Sequence, residues 1–91
     1  MSEEMPKTHF DYYRDAKSHE KNGRLEQAIA SYEKAIQARE DYAHAWYYKA
    51  QLHYKMAQYE DAICCAERAL KLEPGWSDHI TKLLADCRSK C

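Results

Sequence analysis

Residues 43–74 read AHAWYYKAQLHYKMAQYEDAICCAERALKLEP. Small alanines and large aromatic residues alternate in this stretch, a proline ends it, and the preceding 34 residues repeat much of the pattern. A period of this length is typical of stacked helical hairpins, which bury apolar surface against their neighbours and expose a groove. The shift pairs Tyr13 with Tyr47, Ala16 with Ala50, His19 with His53, Lys21 with Lys55, Glu26 with Glu60, Ala28 with Ala62, Ile29 with Ile63, Glu33 with Glu67 and Ala35 with Ala69.

Apolar periodicity and end signals predict five helices and leave no room for a sheet. Thr8 and Asp11 form a capping-box pattern, so the first helix is expected over residues 8–22, before Gly23. The second helix should end near residue 38, and Asp41 is expected to cap the third. A fourth helix should begin after residue 58 and end at Pro74. Residues 77–90 form an amphipathic pattern that should cover the second hairpin.

Composition narrows the function. Fourteen basic and fifteen acidic residues give a net charge of −1, so neither a nucleic-acid footprint nor a polybasic membrane anchor is indicated. The chain has no basic start followed by an apolar stretch and no long apolar run, which favours a soluble cytoplasmic protein. Of the four cysteines, Cys64 and Cys65 are adjacent, which favours free thiols in a reducing compartment over disulfides.

The spaced residues Trp46, Ala50, Ala62, Ala69 and Pro74 resemble the signature of the tetratricopeptide repeat family. The resemblance places repeat one at residues 9–42, repeat two at 43–76 and a capping helix at 77–90, in a single domain over 1–91. Repeat one departs more, because Tyr12 takes the aromatic position and Glu40 the usual proline. Other departures are Asp15 and Lys49 for leucine and His19 and His53 for tyrosine, the histidines being expected at the core edge.

The resemblance implies an all-α, right-handed array of two antiparallel hairpins plus a capping helix. It also implies a non-catalytic adaptor or scaffold, without a cofactor, that binds a peptide or protein segment in the groove of the first helix of each hairpin. On that phasing the binding residues are Tyr13, Lys17, Lys21, Tyr47, Tyr48, Gln51, Tyr54, Lys55, Lys82 and Arg88, with Phe10, Glu20 and His44 on the same face.

Tyrosines beside cations favour an acidic or C-terminal peptide with an aromatic or aliphatic anchor. The alternative is that these tyrosines only cover the stacked helices. A second alternative is a co-chaperone that binds chaperone tails, but the resemblance puts Tyr13, Lys17, Tyr48, Asp78 and Lys82 at the usual carboxylate-clamp positions. The clamp is therefore not conserved in kind, and Asp78 would repel a carboxylate.

A self-associating structural subunit is the third alternative. Charged residues on both terminal helices favour a monomer, with a dimer through exposed tyrosines as the exception. An ion pair between Asp15 and Lys49 is expected to fix the stacking of the hairpins.

Metal and enzyme patterns are weak. Cys87 and Cys91 could share one side of a helix with His79, but no second cysteine pair has zinc-site spacing. Neither a phosphate-binding glycine loop nor a nucleophile or zinc-protease motif occurs in the sequence. We therefore predict no metal, cofactor or catalytic residue.

Overall fold

A computed structural model describes residues 7–90, and within that range it contains helices and no strand. The elements in chain order are α1 (His9–Lys21), α2 (Leu25–Ala38), α3 (Ala43–Lys55), α4 (Tyr59–Leu72), a single 3-10 turn (Pro74–Trp76) and α5 (Ser77–Lys90). Helix α1 packs on α2, α3 packs on α4, the two hairpins meet through α2 and α3, and α5 lies mainly on α4. The predicted all-α array of two helical hairpins plus a capping helix is confirmed.

The core consists of two clusters of buried side chains. Small residues at the helix crossings allow close approach of the helices, and the predicted crossing alanines, Ala16, Ala28, Ala50 and Ala62, are fully buried. The first cluster joins α1, α2 and α3 through Ala16, Ala28, Tyr32, Ala35, Ile36, Ala45 and Leu52. The second joins α3, α4 and α5 through Ala50, Cys65, Ala66, Ala69, Ile80 and Leu84.

The helix starts confirm one capping prediction and correct another. Thr8 caps α1 in a capping box, in which its hydroxyl accepts a hydrogen bond from the Asp11 N–H and the Asp11 carboxylate accepts one from the Thr8 N–H. Asp41 does not cap α3, because the residue at the cap is Tyr42, whose side chain makes no capping bond. The Asp41 carboxylate instead accepts a hydrogen bond from Arg39 Nε at 2.9 Å. A charge-assisted bond of this kind outcompetes a neutral backbone donor.

The two hairpin turns are built alike, 34 residues apart. Gly23 and Ala57 both have positive φ, at 76° and 60°. In each turn the next N–H, of Arg24 or Gln58, donates to the carbonyl of His19 or His53 at 2.8 Å. This Schellman-type ending explains how a chain with alanine at the second turn still reverses direction as it does at the first.

Both equivalent histidines lie where these turns meet the core. His53 is buried, and its Nδ1 lies 2.7 Å from Oε1 of Gln58. His19 is half-buried. The position at the edge of the core predicted for them is therefore observed.

The predicted ion pair between Asp15 and Lys49 is wrong. Asp15 binds Lys7 at 2.8 Å, and Lys49 binds Glu33 at 3.4 Å. Helix α3 packs against α2, which carries Glu33, and not principally against α1. A carboxylate on the adjacent helix therefore pairs with Lys49 before Asp15 can.

Candidate functional site

Three aromatic rings meet where α1 begins. Tyr42, in the turn before α3, packs edge-on against Tyr13 and Phe10 of α1, with ring centroids 5.6 and 5.7 Å apart. Phe10 and Tyr13 are three residues apart in a helix and therefore share a face. Phe10 remains 58% exposed. We call Phe10, Tyr13 and Tyr42 the first ring triad.

The same arrangement recurs one period later. Trp76, in the 3-10 turn before α5, packs against His44 and Tyr47 of α3, with ring centroids 4.7 and 6.1 Å apart. Adding 34 to each number of the first ring triad gives His44, Tyr47 and Trp76, which we call the second ring triad. The repeat therefore reproduces a surface arrangement of rings as well as a core.

Tyr48 joins the two ring triads. Its ring lies 6.0 Å from Tyr13 and 5.4 Å from Tyr47, and Tyr13 also lies 6.2 Å from His44. The ring triads and Tyr48 thus form one continuous surface, which we call the aromatic strip.

Lys17 is the cation of the strip. Its Nζ lies 3.2 Å from the ring centroid of Tyr48 and 5.7 Å from that of Tyr13, an arrangement of the cation–π kind. Burial lowers the pKa of the Lys17 ammonium below its usual value, the charge of Lys55 adds to the effect, and Glu20 opposes it. Among residues 7–90, Lys17 forms no ion pair with a carboxylate. An electrostatic partner for this ammonium is therefore lacking within the described chain.

The phenols beneath the strip are hydrogen-bond donors at neutral pH. Burial is the main cause that raises the pKa of Tyr13 and of Tyr32 above the usual phenol value. The Tyr32 hydroxyl donates to Oε1 of Glu20 at 3.0 Å, and its ring stacks 6.3 Å from that of Tyr48. Tyr32 therefore supports the strip from the core side and commits Glu20 to an internal bond.

A cleft opens beside the second ring triad, between α3 and the start of α5. Its volume is about 350 Å³, within the usual range for sites that bind small groups. Five of the six lining side chains carry rings, and none carries an acid. The lining residues are His44, Tyr47, Tyr48, Gln51, Trp76 and His79.

The structure brings together half of the residues predicted for binding. Tyr13, Lys17, Tyr47, Tyr48 and Gln51 lie on the strip or line the cleft. Lys55 is exposed on α3 and close enough to affect the charge of Lys17.

The other four predicted residues lie apart from the cleft. Tyr54 packs edge-on against Tyr59 of α4 at 5.7 Å. Arg88 extends to Glu67 of α4, with its Nη2 3.4 Å from the carboxylate. Lys21 and Lys82 are exposed and do not line the cleft. The structure therefore concentrates the candidate site on the N-terminal halves of α1 and α3.

Trp76 and His79 line the cleft but were not among the predicted residues. Trp76 lies in a turn, outside any helical stripe, so helix periodicity gave no reason to select it. The 34-residue period would have found it, because it aligns Trp76 with Tyr42, another ring just before a helix. No such signal exists for His79, whose equivalent is Ala45.

Metal-ligating residues do not cluster in residues 7–90, where no group of three or more His, Cys, Asp or Glu side chains is placed to hold an ion. Cys91, one member of the weak zinc pattern, lies outside the described residues, and Cys87 is buried in α5. Burial raises the pKa of the Cys65 thiol to about 11, which keeps it protonated and a poor metal ligand at neutral pH.

These features define a helical-repeat protein with a ring-lined surface on the first helix of each hairpin. The model of the family described as Tetratricopeptide repeat matches residues 20–87, from the end of α1 into α5. The chain belongs to the tetratricopeptide repeat family, as its sequence predicts. Proteins of this family are typically non-catalytic modules for protein–protein interaction. A comparison with curated proteins gives no match.

Proposed function

We propose that this protein is a non-catalytic adaptor that binds a peptide or a protein segment along the aromatic strip. The observation that carries the proposal is that two equivalent ring triads and Tyr48 form one surface beside a cleft. Tyrosine and tryptophan rings are enriched at protein interfaces because they offer large contact area with few rotatable bonds. Core packing alone does not require Phe10 to remain exposed at the end of the strip.

Charge supports an acidic or C-terminal segment as the ligand. Lys17 has no carboxylate partner within residues 7–90, and Lys55 lies close enough to add its positive potential. A carboxylate of the partner would pair with Lys17 at the edge of the rings, where burial reduces screening by solvent. A basic segment would meet like charges at the same place.

Further parts of the proposal concern organisation and location. We propose one domain in which residues 9–42 and 43–76 are the two repeats and residues 77–90 the cap. A cytoplasmic location fits the thiol state of Cys64 and Cys65, which a reducing compartment maintains. Among the described residues, no helix combines the length and apolar character needed to span a membrane.

The proposal is tested by comparing proteins captured from a lysate by the native protein and by a triple variant, Lys17→Glu, Tyr47→Ala and Tyr48→Ala. We expect at least one partner to be lost by about tenfold or more, because truncated interface aromatics commonly cost more than 1 kcal/mol each. Lys34→Glu, a charge reversal at an exposed position of α2, is the control and should retain the partner. Circular dichroism must first show that each variant is folded.

Equal recovery by the native protein and the triple variant would refute binding along the strip. Loss of a chaperone that is captured through its C-terminal tail would instead identify the co-chaperone alternative.

A further inference from the structure

We propose that the cleft beside the second ring triad accepts one tryptophan or tyrosine side chain of the partner, and that Lys17 binds an acidic residue next to it. This inference rests on the proposed function and specifies the ligand: an acidic segment with a single aromatic anchor. It combines two observations made separately above, the ring-lined cleft and the ammonium without a carboxylate partner.

The cleft suits an aromatic anchor better than an aliphatic one. His44 and Trp76 meet edge to face at an interplanar angle of 77°, and Tyr47 meets Tyr48 at 64°. The walls therefore present ring edges and faces, to which a further ring adds favourable quadrupole contacts beyond its buried area. An aliphatic side chain would gain only the burial of its surface.

Polar groups in the same cleft favour tryptophan or tyrosine over phenylalanine. The Gln51 amide and the exposed imidazoles of His44 and His79 belong to the lining. An amide both donates and accepts hydrogen bonds, and a neutral imidazole offers one of each. An indole N–H or a phenol O–H would therefore find a partner in this cleft, which a buried polar group requires.

The position of Lys17 determines what lies beside the anchor. Its ammonium rests on the ring of Tyr48, and that ring is also part of the cleft lining. One ring thus separates the cation from the cleft, so an acidic residue adjacent to the anchor can reach Lys17. A cationic anchor is disfavoured, because the cleft lining carries no acid and Lys17 already covers Tyr48.

Three blocked peptides separate these contributions. The first is acetyl-Glu-Glu-Trp-Glu-Glu-amide, the second replaces Trp with Leu, and the third replaces every Glu with Gln. Because anchor and charge are both needed, the first should bind the native protein about tenfold more tightly than either of the others. Binding is measured by titration in two-dimensional ¹⁵N–¹H NMR.

The two tryptophans provide a readout and an internal control. Trp76 lines the cleft, whereas the Trp46 indole N–H donates to the Glu40 carbonyl at 2.8 Å. The first peptide should shift the Trp76 indole signal and leave that of Trp46 unchanged. Lys17→Glu should remove the preference for Glu over Gln, Lys17→Arg should retain it, and Lys34→Glu should have no effect.

Equal affinity for the Trp and Leu peptides, or for the Glu and Gln peptides, would overturn the inference. A Trp76 signal that does not respond to any of the peptides would also overturn it. If the triple variant still loses its lysate partner in that case, the proposed function stands and only the anchor is wrong. If neither experiment shows a difference, both proposals fail.

Discussion

Ala57 carries a backbone conformation that glycine adopts at the equivalent position of the first hairpin. Its φ of 60° lies in the left-handed region, where a side chain approaches the following carbonyl. Gly23 has the same role at 76°, and there is open space around the position where a Cβ would be added. The strain at Ala57 is therefore a property of its backbone and not of crowding at that type of turn.

Ala57→Gly should raise the free energy of unfolding by about 0.5–1 kcal/mol, because relief of left-handed strain exceeds the entropy that glycine adds to the unfolded chain. Gly23→Ala is the reciprocal change and should lower it by about 1 kcal/mol. Urea unfolding followed by circular dichroism measures both. A less stable Ala57→Gly variant would show that the strain argument is mistaken.

Some single-residue features could not be predicted from the sequence. The turn at Ala57 has no glycine to mark a positive φ, although the 34-residue period aligns it with Gly23. The partner of Lys49 depends on which helix lies beside α3, and the partner of Asp41 on the rotamer of Arg39. Such contacts are decided by three-dimensional proximity among several nearby charges, which spacing along the chain does not specify.

Alanines at the crossing points set how closely the helices of each hairpin approach. Ala62 of α4 is fully buried, and a larger side chain there has to displace its neighbours on α3. Ala62→Leu should therefore lower the free energy of unfolding by about 1–3 kcal/mol through overpacking. Thermal unfolding measures the change. Ala30→Leu, at an exposed position of α2, is the control and should leave stability nearly unchanged.

An unchanged melting temperature for Ala62→Leu would mean that the hairpin can open without cost, and would contradict close packing at this crossing.

Helices were predicted more completely than the site. The capping box at Thr8 and the apolar stripes fixed the number and order of helices, because both signals are local in sequence. The cleft depends on Trp76, which lies in a turn, and on His79, which has no repeated counterpart. A groove made by two helices and a turn is a long-range feature, so only its portion on α1 and α3 could be predicted.

The two ends of the array differ from its interior. At α3 positions that pack into the first core cluster stand Ala45 and Leu52, whereas the equivalent positions of α1 are Asp11 and Ser18. The outer side of α5 is likewise polar, with Asp78, Lys82, Asp86 and Lys90 exposed. Neither terminal helix offers the apolar surface on which a further hairpin would stack.

We therefore expect a monomer in sedimentation velocity experiments over a wide range of concentrations. The double variant Asp11→Ala and Ser18→Leu copies the buried face of α3 onto α1 and should increase self-association, because it exposes new apolar surface. A native dimer that buries Tyr47 would instead assign the aromatic strip to contacts between copies of this chain.

Each ring triad closes within a single 34-residue block, since the last ring of the block folds back onto rings near its start. The binding chemistry is thus portable: copying residues 43–76 into a longer array would carry a finished set of rings with it. Phe10 and His44 occupy equivalent places with different chemistry, so duplicated blocks can diverge in preference while they keep the same geometry. Lengthening and retuning such a surface are then separate evolutionary steps.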